Sequence, residues 1–354
     1  MQNLDCRAAA KAALVWIALL AANAAPAAAP SSALTVTGAV VTPKTYDLAG
    51  LQALPAITQT DSYTSGSGQQ THTYTGASLW GVLGSSGIVV NPAVKNDILD
   101  KVVLATGTDG YKVVFAAGEL SPDFGNRPDL VAYSELIDGV ATPLGADGFA
   151  RVTSPGDAKG GRYVSNLLDL DLRSSGSTQA GTGGGVTSQF TVTGSVKQVV
   201  SFDLAALQAL PTVTAVVGGV SYAGVSFWDL LNTSVGIDLN PAVKNDVLGK
   251  YVVATGSDGY KSVFSLGELN PGFGNQPDLF AYAADGNPLG SAGFARIVAP
   301  NDVKKGRWVS NLVSLEVFSA TPVPEPATVA TMLLGLAMVA GITRRRSMPS
   351  RVSS

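Results

Sequence analysis

The strongest constraint on the fold is a segment that occurs twice. Lys101-Val-Val-Leu-Ala-Thr-Gly-Thr-Asp-Gly-Tyr-Lys-Val-Val-Phe115 returns almost unchanged as Lys250-Tyr-Val-Val-Ala-Thr-Gly-Ser-Asp-Gly-Tyr-Lys-Ser-Val-Phe264. Apolar residues dominate both arms, and the Asp-Gly pair between them is a strong short-range hairpin signal. A type I′ turn there would need positive φ at both central residues. The correspondence runs well beyond the hairpin, so the chain is read as two copies of one unit.

Each copy opens on an alternating stretch, Leu34-Thr-Val-Thr-Gly-Ala-Val and Phe190-Thr-Val-Thr-Gly-Ser-Val, as a half-buried strand does. Asp47 and Asp203 are expected to cap short helices that stop at Pro55 and Pro211. Between Ala56 and Thr73 the first copy is longer. The additional Ser, Thr, Gly and Gln residues predict a surface loop carrying His72, the only histidine. Leu79, Trp80 and Leu83 have the spacing of a buried helix face, with Trp228 the counterpart of Trp80. Asn91-Pro-Ala-Val-Lys-Asn-Asp97 is identical to the segment Asn240–Asp246 and predicts a helical turn leading into the hairpin. Each copy then runs through Gly-Glu-Leu, a Pro/Gly loop with Phe-Gly-Asn, a strand, Gly-Phe-Ala-Arg, a Gly-Arg pair and a last strand. The expected organisation is a first unit over 34–173, a Gly/Ser linker over 174–187 and a second unit over 188–318. With almost nothing apolar in the linker, the units are expected to fold separately.

Both ends carry an address. Arg7 and Lys11 precede the apolar run Ala12–Ala22, so residues 1–30 read as a signal-peptide region for signal peptidase, with cleavage near Ala24. The only cysteine, Cys6, lies in the part removed, which leaves no thiolate for metal binding or redox chemistry. At the other end Pro324-Glu325-Pro326 is followed by the apolar run 327–342 and by Arg344-Arg345-Arg346. Taken in order over 323–346, these parts resemble the PEP-CTERM sorting signal. That resemblance implies a membrane-embedded exosortase as partner in an exopolysaccharide-producing Gram-negative bacterium. It further implies an inner-membrane intermediate before release to the periplasm, cell surface or extracellular matrix. The simpler alternative is a tail anchor. A net charge of −3, with no basic block before the C-terminal arginines, argues against a nucleic-acid partner.

The ordered set Tyr-x-Gly-x-x-Leu, Asp-Gly-Tyr, Glu-Leu-x-Pro, Pro-Leu-Gly, Gly-x-x-Arg-(Val/Ile)-x-x-Pro and Gly-Arg-x-Val-x-Asn-Leu is similar to the sulfite-oxidase-type molybdopterin-binding domain in both copies. The resemblance implies an α+β fold, strand-rich and with short helices. In catalytic members of that family a cysteine thiolate holds molybdenum, and basic residues near the closing segment help to hold the pterin phosphate. Here Arg151, Arg162, Arg296 and Arg307 occupy that segment, and they are the candidates for anion or pterin-phosphate binding. The alternative is that they are structural, bonded to carbonyls or to acids such as Asp157 and Asp302. Where the thiolate ligand belongs, between Tyr111 and Tyr133, the chain offers Glu119, Asp123 and Asp129, and hard carboxylates change which metals are preferred.

These readings lead to an exported surface or matrix protein with two non-catalytic domains acting as binding or structural modules. No catalytic residue, metal ligand or bound cofactor is expected, and acidic exopolysaccharide is the expected partner. The alternative is a molybdopterin-dependent oxidoreductase with a non-cysteine ligand set; a third reading is a matrix protein that only fills and links. Glu119/Glu268 with Asp129/Asp278 recur and could be read as carboxylate pairs for glycoside hydrolysis, but Glu119 is read first as the cap of a helical turn. Trp308 is read as aromatic core, with sugar stacking as the alternative.

Overall fold

The computed structural model describes residues 29–320. Cys6, the expected cleavage site, and the 323–346 segment with its 327–342 run lie outside the described residues. Among the described residues, no helix is long and apolar enough to cross a membrane.

The fold is strand-rich α+β. In the first half the strands are β1 (Leu34–Gly38), β2 (Lys44–Tyr46), β3 (Ala56–Ser65), β4 (Gly68–Ser78), β5 (Lys101–Gly107), β6 (Lys112–Ala116), β7 (Leu130–Ile137), β8 (Val140–Pro143), β9 (Arg151–Thr153) and β10 (Leu167–Ser174). They form two sheets. One has the order β2-β1-β10-β5-β6; the other has the order β3-β4-β7-β8, with β9 also paired to β7. The second half contributes β11 (Gln189–Gly194), β12 (Val200–Asp203), β13 (Thr212–Val217), β14 (Val220–Ser226), β15 (Lys250–Gly256), β16 (Lys261–Ser265), β17 (Leu279–Ala284), β18 (Asn287–Pro288), β19 (Arg296–Val298) and β20 (Leu312–Ser319). Its sheets have the orders β12-β11-β20-β15-β16 and β13-β14-β17-β18, with β19 on β17, so the topology of the first half recurs strand for strand.

Short helices fill the connections. Asp47 accepts a hydrogen bond from Gly50 N at 2.8 Å and caps α1 (Leu48–Gln52). Ser78 caps α2 (Leu79–Ser85), which buries Leu79, Val82 and Leu83 and leaves Trp80 partly buried against the core. The Asp-Gly turn differs from the expected type I′. Only Gly110 and Gly259 have positive φ (80° and 83°), while Asp109 and Asp258 do not. The Asp109 carboxylate accepts from Tyr111 N at 2.9 Å, and Gly107 N donates to Tyr111 O, which closes a four-residue loop around a left-handed glycine. The segment expected to be a loop around His72 is instead the extension of the β3–β4 hairpin, with Asp61 paired opposite His72. Its outer face is a ladder of hydroxyl pairs, Thr58–Thr75, Thr60–Thr73 and Ser62–Thr71, each at 2.8–2.9 Å. Alternating threonines favour a strand, and they outweigh the loop-like composition.

The largest difference from expectation lies between the halves. On β5 and β6 one set of alternate residues (Val103, Ala105, Val113, Phe115) faces the core of its own half. The other set (Val102, Leu104, Val114, Ala116) packs with Tyr251, Val253 and Val263 of the second half. The hairpins are therefore buried on both faces, and the halves do not stand apart. Nor does the intervening segment hang free: Ser175 is buried and bonds Asp100, Tyr251 Oη donates to Ser175 O at 2.7 Å, and Thr182 N donates to Ser257 O at 2.7 Å. Burying a valine-sized side chain contributes roughly 1.5–3 kcal/mol, so exposing Val102, Leu104 and Val114 at once is a large loss. A fragment ending at Ser174 should consequently be molten or aggregated, binding a hydrophobic dye and melting without a cooperative transition. A sharp, dye-free melt of that fragment would show that the first half needs no partner.

Candidate functional site

The four arginines occupy two kinds of environment. Arg162 closes a 3-10 turn (Gly160–Arg162) and is fully buried. Its Nε and Nη2 donate to the two oxygens of Asp157, both at 2.8 Å, and its Nη1 donates to Glu119 Oε1 at 2.9 Å. Arg307 repeats this arrangement with Asp302 at 2.9 and 2.7 Å and with Glu268 at 2.7 Å. Each guanidinium is thus committed to two carboxylates, which leaves neither free to grip an anion from solvent. Burial alone would lower the pKa of both arginines, but Asp157 and Glu119 around Arg162, and Glu268 and Asp302 around Arg307, overcome it and raise both.

These networks lie where the halves meet. A Cβ placed on Gly161 would come within 2.3 Å of Phe273, and one on Gly306 within 2.1 Å of Phe124. The Gly-Arg glycine of each half therefore receives the phenylalanine of the other. Gly267 and Gly118 in turn leave room for the side chains of Arg162 and Arg307 from the opposite half. Backbone bonds run across the junction, from Ala158 N to Phe273 O at 2.9 Å and from Val303 N to Phe124 O at 2.8 Å. The identical Asn-Pro loops join in as well. Asn245 Nδ2 donates to Tyr111 Oη at 2.9 Å, and that hydroxyl donates to Gly161 O at 2.7 Å. Asn96, Tyr260 and Gly306 repeat the relay at 2.8 and 2.7 Å. The Asp-Gly-Tyr hairpins, the Asn-Pro loops, the Gly-Glu-Leu turns and the Gly-Arg pairs thus all make contacts at the junction.

The repeat is not perfect. Ser265 caps the helical turn Leu266–Leu269 in a reciprocal capping box with Glu268. The first half has Ala116 at that position, and Glu119 Oε2 instead accepts a hydrogen bond from Ser265 Oγ of the second half at 2.8 Å. The capping role expected of Glu119 is therefore not found there, and falls to Glu268 in the second half. Around the two arginines the carboxylates are in excess. Glu119, Asp157 and Asp129 face Arg162 and Arg127, whose Nη2 is 3.9 Å from Asp157; Glu268, Asp302 and Asp278 face Arg307, with Gln276 in place of Arg127. Neither side-chain oxygen of Asp129 has a hydrogen-bond partner. Burial pushes Asp129 up to about 7. Burial, then the neighbouring Glu268, raises Glu119 well above the usual carboxylate range, and burial does the same for Asp278.

Arg151 and Arg296 lie on β9 and β19, away from that junction. Arg151 pairs with Asp147, donates to Tyr74 Oη at 3.3 Å and lies over the rings of Tyr74 and Tyr163. Nearby, His72 Nδ1 is 2.6 Å from Glu135, between the rings of Tyr63 and Tyr74. Asp61 is buried beside them with neither oxygen hydrogen-bonded, and burial raises its carboxyl to about 6. In the second half Ala292 replaces Asp147, and Arg296 has no ion pair among the described residues. Its guanidinium is 5.1 Å from the centroid of Trp308, its Nε has no partner, and burial lowers its pKa. Trp308 is buried and donates from Nε1 to Ala299 O at 3.1 Å, so it is core and not an exposed stacking ring. Glu119, Asp123 and Asp129 do not converge: Asp123 is exposed and pairs with Lys304. Among the described residues no group of three His, Cys, Asp or Glu side chains is placed to hold a metal ion.

Against this geometry, residues 322–347 match the PEP-CTERM protein-sorting motif. The motif marks an exported protein, sorted to the envelope of a Gram-negative bacterium and processed by an exosortase. No curated protein matches the sequence. Among solved structures the chain is similar to the sulfane dehydrogenase SoxCD from Paracoccus pantotrophus, at 14% identity and a TM-score of 0.33, covering 54% of this chain and 53% of that one. The chain spans about half the length of that enzyme, and a likeness this shallow carries no functional assignment.

Two stability predictions follow from the buried networks. Arg162→Ala leaves Asp157 and Glu119 buried without their cation and should destabilise the protein by roughly 3–5 kcal/mol in denaturant titration; a loss under 1 kcal/mol would mean the network is solvated. Carboxyls whose folded pKa is raised stabilise the fold most below their unfolded value, and that contribution is lost as pH climbs through the folded value. The melting temperature should therefore fall between about pH 4 and pH 7 on account of Asp129. Asp129→Asn should flatten that slope, and an unchanged slope would place the titration elsewhere.

Proposed function

We propose that the exported protein is a non-catalytic module of the cell surface or extracellular matrix, whose two halves act together as one rigid binding or structural body. The observation that carries this reading is the state of Arg162 and Arg307. The resemblance to molybdopterin-binding domains assigns such residues to an anionic cofactor, yet each is fully buried and held by two carboxylates. A pterin phosphate brought to either would have to displace the carboxyl groups already bonded to its guanidinium, Asp157 with Glu119 or Asp302 with Glu268, inside a buried junction. The residues present do not fit the cofactor, and residues 29–320 contain no thiol to hold molybdenum. Acidic envelope polysaccharide is the partner we assign to such a module.

The competing reading is a molybdopterin-dependent oxidoreductase with a non-cysteine ligand set. Metal and pterin analysis of protein purified from its native envelope separates the two. Molybdenum far below stoichiometric, with no fluorescent pterin after oxidation, is the expected result. Recovery of near-equimolar molybdenum and pterin would overturn the non-catalytic reading.

A further inference from the structure

The two halves differ most in charge around Trp308. A cavity of about 400 Å³ opens there and draws its walls from three stretches of the chain: Lys95 and Asn96 of the first half, Gly184 and Gly185 of the intervening segment, and Tyr260, Lys305 and Trp308 of the second half. This volume falls within the roughly 300–1,000 Å³ typical of small-molecule sites. The side chains of Lys95 and Lys305 have no ion pair or hydrogen bond among the described residues; the neighbouring Lys304 is the one that pairs, with Asp123. Lys95 Nζ stands 5.9 Å from the Tyr260 centroid, and Lys305 Nζ stands 4.7 Å from that of Trp308. Arg296, equally unpaired, lies behind the Trp308 wall and adds to the positive field. One carboxylate, Asp258, also lines the cavity and accepts a bond from Tyr260 N at 3.0 Å, so the ammonium groups of Lys95 and Lys305 outnumber it.

The equivalent place in the first half lacks this character. Gly160 stands in place of Lys305, Tyr163 in place of Trp308, and Arg151 is neutralised by Asp147. The pair of clefts between each Asp-Gly-Tyr hairpin and the opposite Asn-Pro loop does recur, at about 360 and 440 Å³. The pairing of Lys305 with Trp308 does not, because Gly160 and Tyr163 hold those positions in the first half.

We infer that this cavity binds a single acidic sugar residue, its carboxylate or sulfate group held by Lys95 and Lys305 and its ring laid against Tyr260. The Tyr260 ring is fixed by two hydrogen bonds through its hydroxyl, to Asn96 and to Gly306, so no side-chain ordering remains for a ligand to supply there. Ser310 on the lining offers a hydrogen-bond partner for a sugar hydroxyl. Two exposed ammonium groups without ion-pair partners set the sign of the ligand, and their exposure makes binding salt-dependent. The inference rests on the reading of the protein as a binding module, and it adds that the site is single and lies on the second half's side.

The test uses the mature protein and trigalacturonate, followed by calorimetry and by tryptophan emission, with maltotriose and inorganic sulfate as separate arms. Binding of trigalacturonate at one site per chain, at least tenfold weaker in Lys95→Ala and in Lys305→Ala and unchanged in Lys244→Ala, is expected. Maltotriose should not bind, and binding should weaken between low and moderate salt. Equal affinity for sulfate and trigalacturonate would overturn the sugar assignment. Undiminished binding by folded Lys95→Ala and Lys305→Ala variants would overturn the location, and so would two equivalent sites. Absence of binding in the wild type overturns this inference and leaves the non-catalytic reading intact, because that reading stands or falls on the molybdenum and pterin analysis.

Discussion

Two buried arginine–carboxylate networks, placed where the halves of the chain meet, hold the rest of the structure in register. Arg162 is bound by Asp157 and Glu119, and Arg307 by Asp302 and Glu268. Each arginine lies over the opposite half's Gly-Glu-Leu turn, and each adjoining glycine admits the opposite half's phenylalanine. Ion pairs of this kind contribute modestly to net stability against an apolar alternative, but losing one partner strands a buried charge. They specify one docking geometry, and the apolar faces of β5, β6, β15 and β16 supply the area that drives association.

Because the junction uses identical motifs from both sides, what is not identical stands out. Ser265 opposite Ala116 turns a symmetric helix turn into one that also holds Glu119 across the junction. Gln276 opposite Arg127 leaves the second network with one cation fewer, and its acids Asp278 and Asp302 are both raised, burial being the largest cause. Ala292 opposite Asp147 releases Arg296 from an ion pair, and Lys305 opposite Gly160 adds a cation beside it. The first half carries the long hairpin with its His72–Glu135 pair, and the second carries the positive cavity. The matched motifs form the junction; the positions that differ supply the differences in chemistry.

Much of the fold is legible in the sequence. The repeated hairpin, the Asp47 and Asp203 caps and the helix face of Leu79 and Leu83 all follow from local periodicity and capping. The docking of the halves has a local signal as well: Val102-Val-Leu-Ala105 and Val113-Val-Phe-Ala116 are apolar at consecutive positions, which requires cover on both faces of the strand. The linker's composition pulled the other way and suggested separation. The arginines are harder to read. The five-residue step from Asp157 to Arg162 and from Asp302 to Arg307 is visible, but a cofactor grip and a structural pair share those residue types. Glu119 and Glu268 join them only through tertiary packing, which no local pattern encodes. The cavity at Trp308 is assembled from residues as far apart in sequence as Lys95 and Asn311.

The central claim is that residues 29–320 form one cooperative body locked through Arg162 and Arg307. Scanning calorimetry of that body addresses the claim most directly, since two-state unfolding requires equal calorimetric and van't Hoff enthalpies. The account predicts a single transition with the two enthalpies equal for the whole body. Two resolved transitions, or a van't Hoff enthalpy near half the calorimetric value, would contradict it and return the halves to independence.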